Sequence, residues 1–148
     1  MNEKWDRRFL HLAEHVSWWS KDPSTLVGAV ITDRHHRVVS LGFNGLPHGV
    51  DDDAAVLEQR DLKLACVIHA EENALLFART DLRKHPHTLY VWPMPPCARC
   101  ASKIIQAGIG RVVAETPGRL LLERWGQEIE LAGKIFEQAG VDLEFYER

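Results

Sequence analysis

The sequence predicts an α/β fold, a three-layer α/β/α sandwich in which helices cover both faces of a mixed five-stranded sheet. Two observations support this prediction. Four segments repeat apolar residues at helical spacing, and five short runs rich in β-branched residues lie between them. Helical segments also separate the later strands, and crossover connections of that kind join parallel strands. Helices on both sides would then bury the sheet.

The N-terminal half begins with a predicted helix and continues with a hairpin. Apolar residues recur at helical spacing over residues 3–19, and Pro23 follows because its ring cannot continue a helix interior. The runs LVGAVIT (26–32) and RVVSLGFNG (37–45) flank the polar turn DRHH, which is the pattern of a β-hairpin. Proline, glycine and aspartate punctuate residues 45–61, which we predict to be mainly loop.

The C-terminal half alternates helices with strands. Gly108 stands where a helix C-cap is needed, and Gly126 and Gly133 are weak points of the last helix. The predicted elements are, in order, helix 69–81, strand 88–92, helix 97–107, strand 111–115, helix 119–139 and strand 141–147.

Length and composition fit one domain over residues 1–148. Hydrophobic residues make up 45% and charged residues 26% of the chain, which is typical of a soluble globular protein. The charged N-terminus lacks the pattern of a signal peptide, and no apolar run is long enough for a membrane helix. Three cysteines, an odd number, argue against a disulfide framework. We therefore expect a cytoplasmic protein that does not contact a membrane.

The charge balance favours a small-molecule substrate. The formal net charge is -3, and the lysines and arginines are scattered along the chain. Proteins that bind nucleic acid through its backbone usually present a basic face, so nucleic acid is not the expected partner.

The stretch PPCARC contains the motif with the clearest chemistry. Cys97 and Cys100 have the spacing that binds one metal ion, at the start of a predicted helix whose N-terminus favours the thiolate form. His69, also at a helix start, is the nearest credible third ligand. One histidine and two cysteines form a catalytic zinc pattern with an open fourth position. Glu71, two residues after His69, is placed to shuttle protons beside that position.

A closed structural zinc site is the alternative interpretation. Cys66 lies three residues before His69, so the chain also contains a four-ligand Cys-x-x-His … Cys-x-x-Cys set. That set would leave Glu71 without a role. We expect Cys66 to be a buried apolar thiol instead.

The same residues resemble a known enzyme family. His69-Ala70-Glu71 … Pro96-Cys97-Ala98-Arg99-Cys100 has the H-x-E … P-C-x-x-C signature of zinc deaminases. The segments SKDPSTLVGAVI, LGFNGLPHGV, HAEENAL and CARCASKIIQAGIGRVV resemble, in the same order, those of the deoxycytidylate (dCMP) deaminases of the cytidine deaminase superfamily. The resemblance covers most of residues 5–115. It implies that family's fold, Zn²⁺ as cofactor, and hydrolytic deamination of a free nucleotide, in the first instance dCMP to dUMP and ammonia.

The resemblance assigns the metal centre and the proton shuttle. By this resemblance Glu71 takes a proton from the attacking water and passes protons to the ring nitrogen and the departing ammonia. The residues that correspond to the family's zinc ligands are His69, Cys97 and Cys100.

The resemblance also implies substrate and effector contacts. The backbone N–H of Ala70 would meet the pyrimidine carbonyl, and Asn44 would contact the sugar. The Gly42–Gly45 loop corresponds to a segment that takes part in effector nucleotide binding in regulated relatives. Asn44 also fits a plain turn residue beside a glycine, and Ser24 fits either turn chemistry or a phosphate contact. Relatives of this kind form oligomers, so we expect a homo-oligomer.

Four departures from the family pattern affect the expected substrate. The segment WPMPP is one residue longer than usual, and Met94 and Pro95 occupy the neighbourhood of an aromatic residue that normally precedes Pro-Cys. Trp92 replaces a small residue, which makes it a candidate substrate contact, and Phe43 replaces a tyrosine. We hypothesise that these changes reshape the pocket for a modified pyrimidine or a purine.

Two alternative functions stay open at this point. One is a deaminase of another free base or nucleoside, or of single-stranded nucleic acid, which the low basicity disfavours. The other is a non-catalytic zinc-stabilised module that binds nucleotides. Trp18 and Trp19 are expected to pack in a core or in a subunit interface.

Overall fold

The computed structural model describes residues 2–147, and it contains six helices and five strands over that range. The elements, in chain order, are α1 (Glu3–Ser17), β1 (Gly28–Asp33), β2 (Val38–Phe43), α2 (Ala54–Glu58), α3 (Arg60–Cys66), α4 (Ala70–Phe77), β3 (His87–Trp92), α5 (Ala98–Ala107), β4 (Arg111–Glu115), α6 (Arg119–Ala139) and β5 (Asp142–Tyr146).

The strands form one mixed sheet in the order β2-β1-β3-β4-β5. β1 runs antiparallel to both β2 and β3, whereas β3, β4 and β5 are parallel. Helices α5 and α6 make the two crossovers between the parallel strands, because parallel neighbours cannot be joined by a tight hairpin. The predicted mixed five-stranded sheet is confirmed.

The alternation of side chains along the strands separates two cores. On one face Ala29 and Val91 pack with residues of α4, α5 and α6. On the other face Val30, Tyr90 and Val113 pack against α1. Successive residues of a strand point to opposite faces, so the sheet is the central layer of the predicted sandwich. The face that α4 and α5 cover is the one that carries the predicted metal ligands His69, Cys97 and Cys100.

Two element boundaries differ from the sequence-based prediction. Residues 45–61, predicted to be mainly loop, contain α2 and the start of α3. Asp53 is the residue in the sequence that could have indicated the start of α2. It is the N-cap of this helix, and its side chain accepts a hydrogen bond from the backbone N–H of Val56 at 3.1 Å. The helix predicted over 69–81 ends at Phe77. The last helix runs without a break through Gly126 and Gly133.

Glycine is required where β2 crosses α4. A Cβ atom at Gly42 would overlap the carbonyl oxygen of Ala70 and the backbone nitrogen of Ala74. The absence of a side chain therefore lets β2 approach the backbone of α4 directly, and this contact sets the position of the helix that follows His69.

A hydrogen-bonded cluster joins α1 to the sheet. The buried Asp6 carboxylate accepts hydrogen bonds from the hydroxyls of Tyr90 and Tyr146, both at 2.8 Å. It also accepts two from the Arg111 guanidinium, at 2.9 and 2.7 Å. Arg111 in turn bonds Glu144 of β5 at 2.6 Å. Strands β3, β4 and β5 are thus all tied to the first helix through one carboxylate.

Within residues 2–147, none of the helices has the length and apolar character needed to cross a membrane.

Candidate active site

Three side chains that could hold a metal ion converge at the starts of α4 and α5. His69 is the N-cap of α4 and Cys97 is the N-cap of α5, while Cys100 lies in the first turn of α5. One ligand atom from each residue lies within 4.8 Å of the other two. The His69 Nδ1 atom is 3.3 Å from Cys100 Sγ and 3.6 Å from Cys97 Sγ. Tetrahedral zinc with Zn–S of about 2.3 Å and Zn–N of about 2.0 Å needs N···S distances of about 3.5 Å, so these donors fit zinc.

An ion pair between Glu72 and Lys103 joins α4 to α5 near the metal-binding cluster. The Glu72 carboxylate of α4 accepts a hydrogen bond from the backbone N–H of His69 at 3.2 Å and also bonds the Lys103 ammonium of α5. The first bond closes the beginning of α4, and the second joins α4 to α5. Glu72 therefore fixes the relative position of the histidine and cysteine ligands.

The thiols of the cluster have opposite pKa shifts. The hydrogen bond from Cys100, together with that from His69, lowers the pKa of Cys97 to about 4 despite its burial. The neighbouring Cys97 sulfur and burial raise the pKa of Cys100. The hydrogen bond with Cys97 raises the pKa of His69 above its ordinary value. A divalent cation among these donors would provide the positive charge that allows the second thiol to ionise as well.

Glu71 lies beside the cluster and is buried. Its side chain is 5% exposed, and its Oε2 atom is 3.8 Å from Cys100 Sγ. Burial raises the pKa of Glu71 to about 7. A carboxyl group that titrates near neutral pH can both accept and return a proton, as general acid–base chemistry requires.

The closed four-ligand alternative is not formed. Cys66, at the end of α3, is exposed, so the expectation that it is a buried thiol is wrong. Over the described part of the chain, the group able to hold a metal ion contains His69, Cys97 and Cys100 without Cys66. The fourth side of the cluster therefore faces Glu71 and the cavity rather than another cysteine.

The cluster opens into a cavity that communicates with solvent. Three of the predicted substrate contacts, Asn44, Ala70 and Ser24, line this cavity together with Glu71.

The side-chain amide of Asn44 binds two backbone groups in the wall of the cavity. The Oδ1 atom accepts a hydrogen bond from the N–H of Val27 at 2.9 Å, and Nδ2 donates one to the carbonyl of Thr25 at 2.8 Å. Among the non-glycine residues of 2–147, His36 alone has a positive φ angle. The φ angle of Asn44 is therefore not positive. The turn interpretation of Asn44 therefore does not hold.

Trp92 does not line this cavity, which corrects its prediction as a substrate contact. The alternation along β3 turns Val91 toward the metal side and Trp92 toward α1. Trp92 instead lines a separate small cavity with Leu10 and Tyr146. The physical reason is the period of the strand, since adjacent residues face opposite sides of a sheet.

The cavity contains residues that the sequence analysis did not identify. Lys63 of α3 is 4% exposed, and its ammonium donates to Asp22 Oδ1 at 3.2 Å and to Ser24 Oγ at 3.1 Å. Lysine is rarely buried, and the sequence analysis assigned no element to the segment that contains Lys63. Helix α6 contributes four further lining residues: Arg124, Trp125, Glu128 and Ile129.

Comparison with known proteins identifies the family of the chain. The profile of the cytidine and deoxycytidylate deaminase zinc-binding region matches residues 3–116. This chain belongs to that deaminase family. Its metal is zinc, and the donor set of His69, Cys97 and Cys100 fits that metal.

Individual relatives agree with this membership. An uncharacterized deaminase in the luxG 3' region of Aliivibrio fischeri is 49% identical over 97% of this deaminase and 94% of its own length. Human deoxycytidylate deaminase is 36% identical over 93% of this chain and 77% of its own length. The crystal structure of dCMP deaminase from the cyanophage S-TIM5, in complex with dCMP and dUMP, has the same fold, with a TM-score of 0.73, 21% identity and 99% coverage of both chains.

The profile match stops before the last helix. It ends at residue 116, whereas α6 begins at Arg119. The α6 side of the cavity in this deaminase is therefore built by residues outside the matched zinc-binding region.

Proposed function

We propose that this deaminase converts dCMP to dUMP and ammonia. The observation that carries the proposal is the buried Glu71 carboxyl, 3.8 Å from a sulfur of a three-donor zinc site and lining the same cavity as Asn44. Curated relatives that match most of the chain are named deoxycytidylate deaminases. The zinc ligands in this proposal are His69, Cys97 and Cys100.

The reaction adds the oxygen of water to the ring carbon that carries the amino group, and the carbon–nitrogen bond to that amino group breaks. Zinc, when bound, lowers the pKa of water toward neutrality and so makes hydroxide available. Glu71 accepts the proton that the water loses and delivers protons to the ring nitrogen and to the leaving amine. Burial raises the pKa of Glu71, which favours uptake of the proton that the water loses.

The remaining substrate contacts follow from the cavity lining. The backbone N–H of Ala70, at the first position of α4, is proposed to bind the pyrimidine carbonyl. Asn44 is proposed to contact the sugar while it holds Val27 and Thr25 in place. Ser24 and Lys63 are proposed to contact the phosphate, because a buried ammonium and a hydroxyl lie 3.1 Å apart in this wall.

The decisive experiment is ammonia release by protein of measured zinc content across a substrate panel. The panel contains dCMP, CMP, deoxycytidine, cytosine, 5-methyl-dCMP, guanine and adenine. We expect dCMP to give the highest kcat/KM. A modified pyrimidine or a purine that exceeds dCMP would contradict the proposed substrate, and absence of turnover with a full zinc complement would favour the non-catalytic module.

The phosphate contact can be tested with one variant. Lys63→Met should lower kcat/KM for dCMP by about ten- to a hundredfold, since hydrogen bonds to charged groups contribute about 1.5–3 kcal/mol. The value for deoxycytidine, which has no phosphate, should change by less than about threefold. Equal losses for both substrates would place Lys63 in fold stability rather than in phosphate binding.

We further propose that the chain, one domain over residues 1–148, works as a homo-oligomer in a reducing cytoplasm. Trp19 and Phe43 contact each other with ring centroids 6.1 Å apart and are 51% and 38% exposed. Asn73 of α4 donates a hydrogen bond to the Phe43 carbonyl, and Phe77, one turn later, is 64% exposed. An apolar surface of this kind is typical of subunit contacts. Light scattering on the parent and on Phe77→Glu tests it, since the variant should have the lower mass.

The Gly42–Gly45 loop remains the proposed effector segment. Phe43 exposes its ring, and Gly45 pairs with Ile68, two residues before α4. An effector bound here would contact the strand that packs on the catalytic helix. Titration of dCTP and dTTP into the dCMP assay tests this role, which is wrong if neither nucleotide changes the rate.

A further inference from the structure

Helix α6 builds one side of the active-site cavity with two consecutive turns. Arg124 and Glu128 are four residues apart, as are Trp125 and Ile129, so the four side chains lie on one face of the helix. Among the lining residues of this cavity, Trp125 has the one aromatic ring besides the imidazole of His69, which belongs to the metal-binding cluster. The aromatic surface that is free to pack against the flat heterocycle of a base is therefore on α6.

Packing in the hydrophobic core does not account for the position of the Trp125 side chain. The buried residues that α6 contributes to the core are Ala132 and Phe136, which lie two and three turns further along the helix. Trp125 belongs to neither of the core clusters. Trp125 therefore lines the cavity without belonging to the part of α6 that packs in the core.

The indole of Trp125 also carries an unused hydrogen-bond donor. Its Nε1 atom is buried and has no hydrogen-bond partner among residues 2–147. The Arg124 guanidinium lies over the ring, 5.2 Å from its centroid, and supports the indole from one side. A buried N–H without an acceptor destabilises the protein, and a ligand that brings an acceptor removes this penalty.

We propose that Trp125 is a substrate-binding and specificity-determining residue, whose ring packs against the substrate and whose indole N–H donates a hydrogen bond to it. This inference rests on the proposed function, because the ligand is the nucleotide deaminated at the zinc site. The sequence lacks an aromatic residue immediately before Pro96, where Met94 and Pro95 line the cavity instead. Trp125 supplies from a distant helix the aromatic surface that this loop does not provide.

Two substitutions separate the ring from its donor. Trp125→Phe keeps an aromatic ring and removes the N–H, and it should raise KM for dCMP about three- to tenfold with kcat within about twofold of the parent. Trp125→Leu removes both and should raise KM about tenfold to a hundredfold. Trp92→Phe is the matched control, because this indole lies on the opposite face of the sheet, and its KM should equal that of the parent.

A binding measurement gives a readout that does not depend on turnover. The product dUMP, titrated into the zinc-loaded parent, should change the intrinsic tryptophan fluorescence. Trp92→Phe should retain this change, and Trp125→Phe should lose most of it. The zinc contents of the three variants should match that of the parent.

The outcomes distinguish this inference from the proposed function. If the zinc-loaded parent does not deaminate dCMP, the proposed function fails and this inference fails with it. If the parent deaminates dCMP but Trp125→Leu leaves KM and the dUMP response within about twofold, the inference alone is overturned. Loss in both Trp125 variants with an unaffected Trp92→Phe supports it.

Discussion

At the scale of single residues, Glu71 separates an enzyme from a zinc-stabilised binding module. Glu71→Gln keeps the size and hydrogen-bonding capacity of the side chain but cannot shuttle a proton. We expect kcat for dCMP to fall by about a hundred- to ten-thousandfold, with one zinc per chain retained. Zinc analysis and an ammonia-release assay on the same preparation check this expectation.

A surface glutamate provides the control for that change. Glu130 of α6 is exposed and pairs with Lys134, so Glu130→Gln should leave kcat unchanged. Undiminished activity in Glu71→Gln would mean that another group moves the protons.

The cysteines can be tested one at a time. Cys66 is exposed and lies outside the cluster, so Cys66→Ser should retain a full zinc complement. Cys97→Ser removes one of three ligands and should lose most of the bound zinc at equal free metal concentration. Mass spectrometry of the native proteins measures the metal per chain. Zinc loss in Cys66→Ser would instead support the closed structural site.

At the scale of elements, the contact between β2 and α4 positions the helix that carries Glu71. Gly42→Ala would drive a methyl group into the backbone at Ala70 and Ala74. We expect the free energy of unfolding to fall by about 1–3 kcal/mol, as in overpacked cores. Because α4 carries Glu71, kcat should fall as well.

The control for this substitution is a glycine with free space around it. A Cβ atom at Gly133 of α6 would meet nothing within 4 Å. Gly133→Ala should therefore be neutral or stabilising by about 0.5–1 kcal/mol, because alanine favours a helix interior over glycine. Urea unfolding of both variants compares them, and equal stability of Gly42→Ala and the parent would refute the close approach.

The junction between α1 and the sheet should make stability depend on pH. Burial raises the pKa of Asp6, but the hydrogen bonds from Arg111, Tyr146 and Tyr90 outweigh it, and the net pKa lies below the ordinary value. A carboxyl whose pKa is lower in the folded state stabilises the fold above its unfolded pKa of about 4. That stabilisation is lost as the pH falls through the lowered folded value.

Asp6→Asn tests this junction. At pH 7 we expect the free energy of unfolding to decrease by about 3–5 kcal/mol, the usual effect of removing one partner of a buried pair. The difference from the parent should shrink as the pH falls below about 4. Urea unfolding across pH measures it. Glu144→Gln, which changes the more exposed partner of Arg111, should have a smaller effect, and a pH-independent difference would contradict the charge-based explanation.

At the scale of the whole molecule, the sequence predicted most of the architecture and the metal centre but not the opposite wall of the cavity. His69, Cys97 and Glu71 stand in short motifs at helix starts, and local spacing is enough to recognise them. Lys63 and Trp125 carry no local motif. They reach the cavity because distant helices pack there, and sequence periodicity does not encode that arrangement.

The tryptophans illustrate this limit. Trp92 adjoins the zinc motif in sequence, yet the strand turns it toward α1. Trp125 lies 25 positions after Cys100 along the chain, yet α6 brings it to the same cavity. Trp18 and Trp19 were predicted to pack in a core or an interface, and both are exposed in the single chain, which leaves the interface as the open alternative.

The Asp6 junction also bears on synthesis at the ribosome. The carboxylate of Asp6 bonds Arg111, 105 residues later, and Tyr146, 140 residues later. Synthesis proceeds from the N-terminus, so these bonds of Asp6 can form only after β4 and then β5 have been translated. The apolar side of α1, with Phe9 and Leu10, can pack on Val30 and Tyr90 earlier, but it lacks Val113 until β4 has been translated. Complete docking of α1 is therefore a late event of biogenesis.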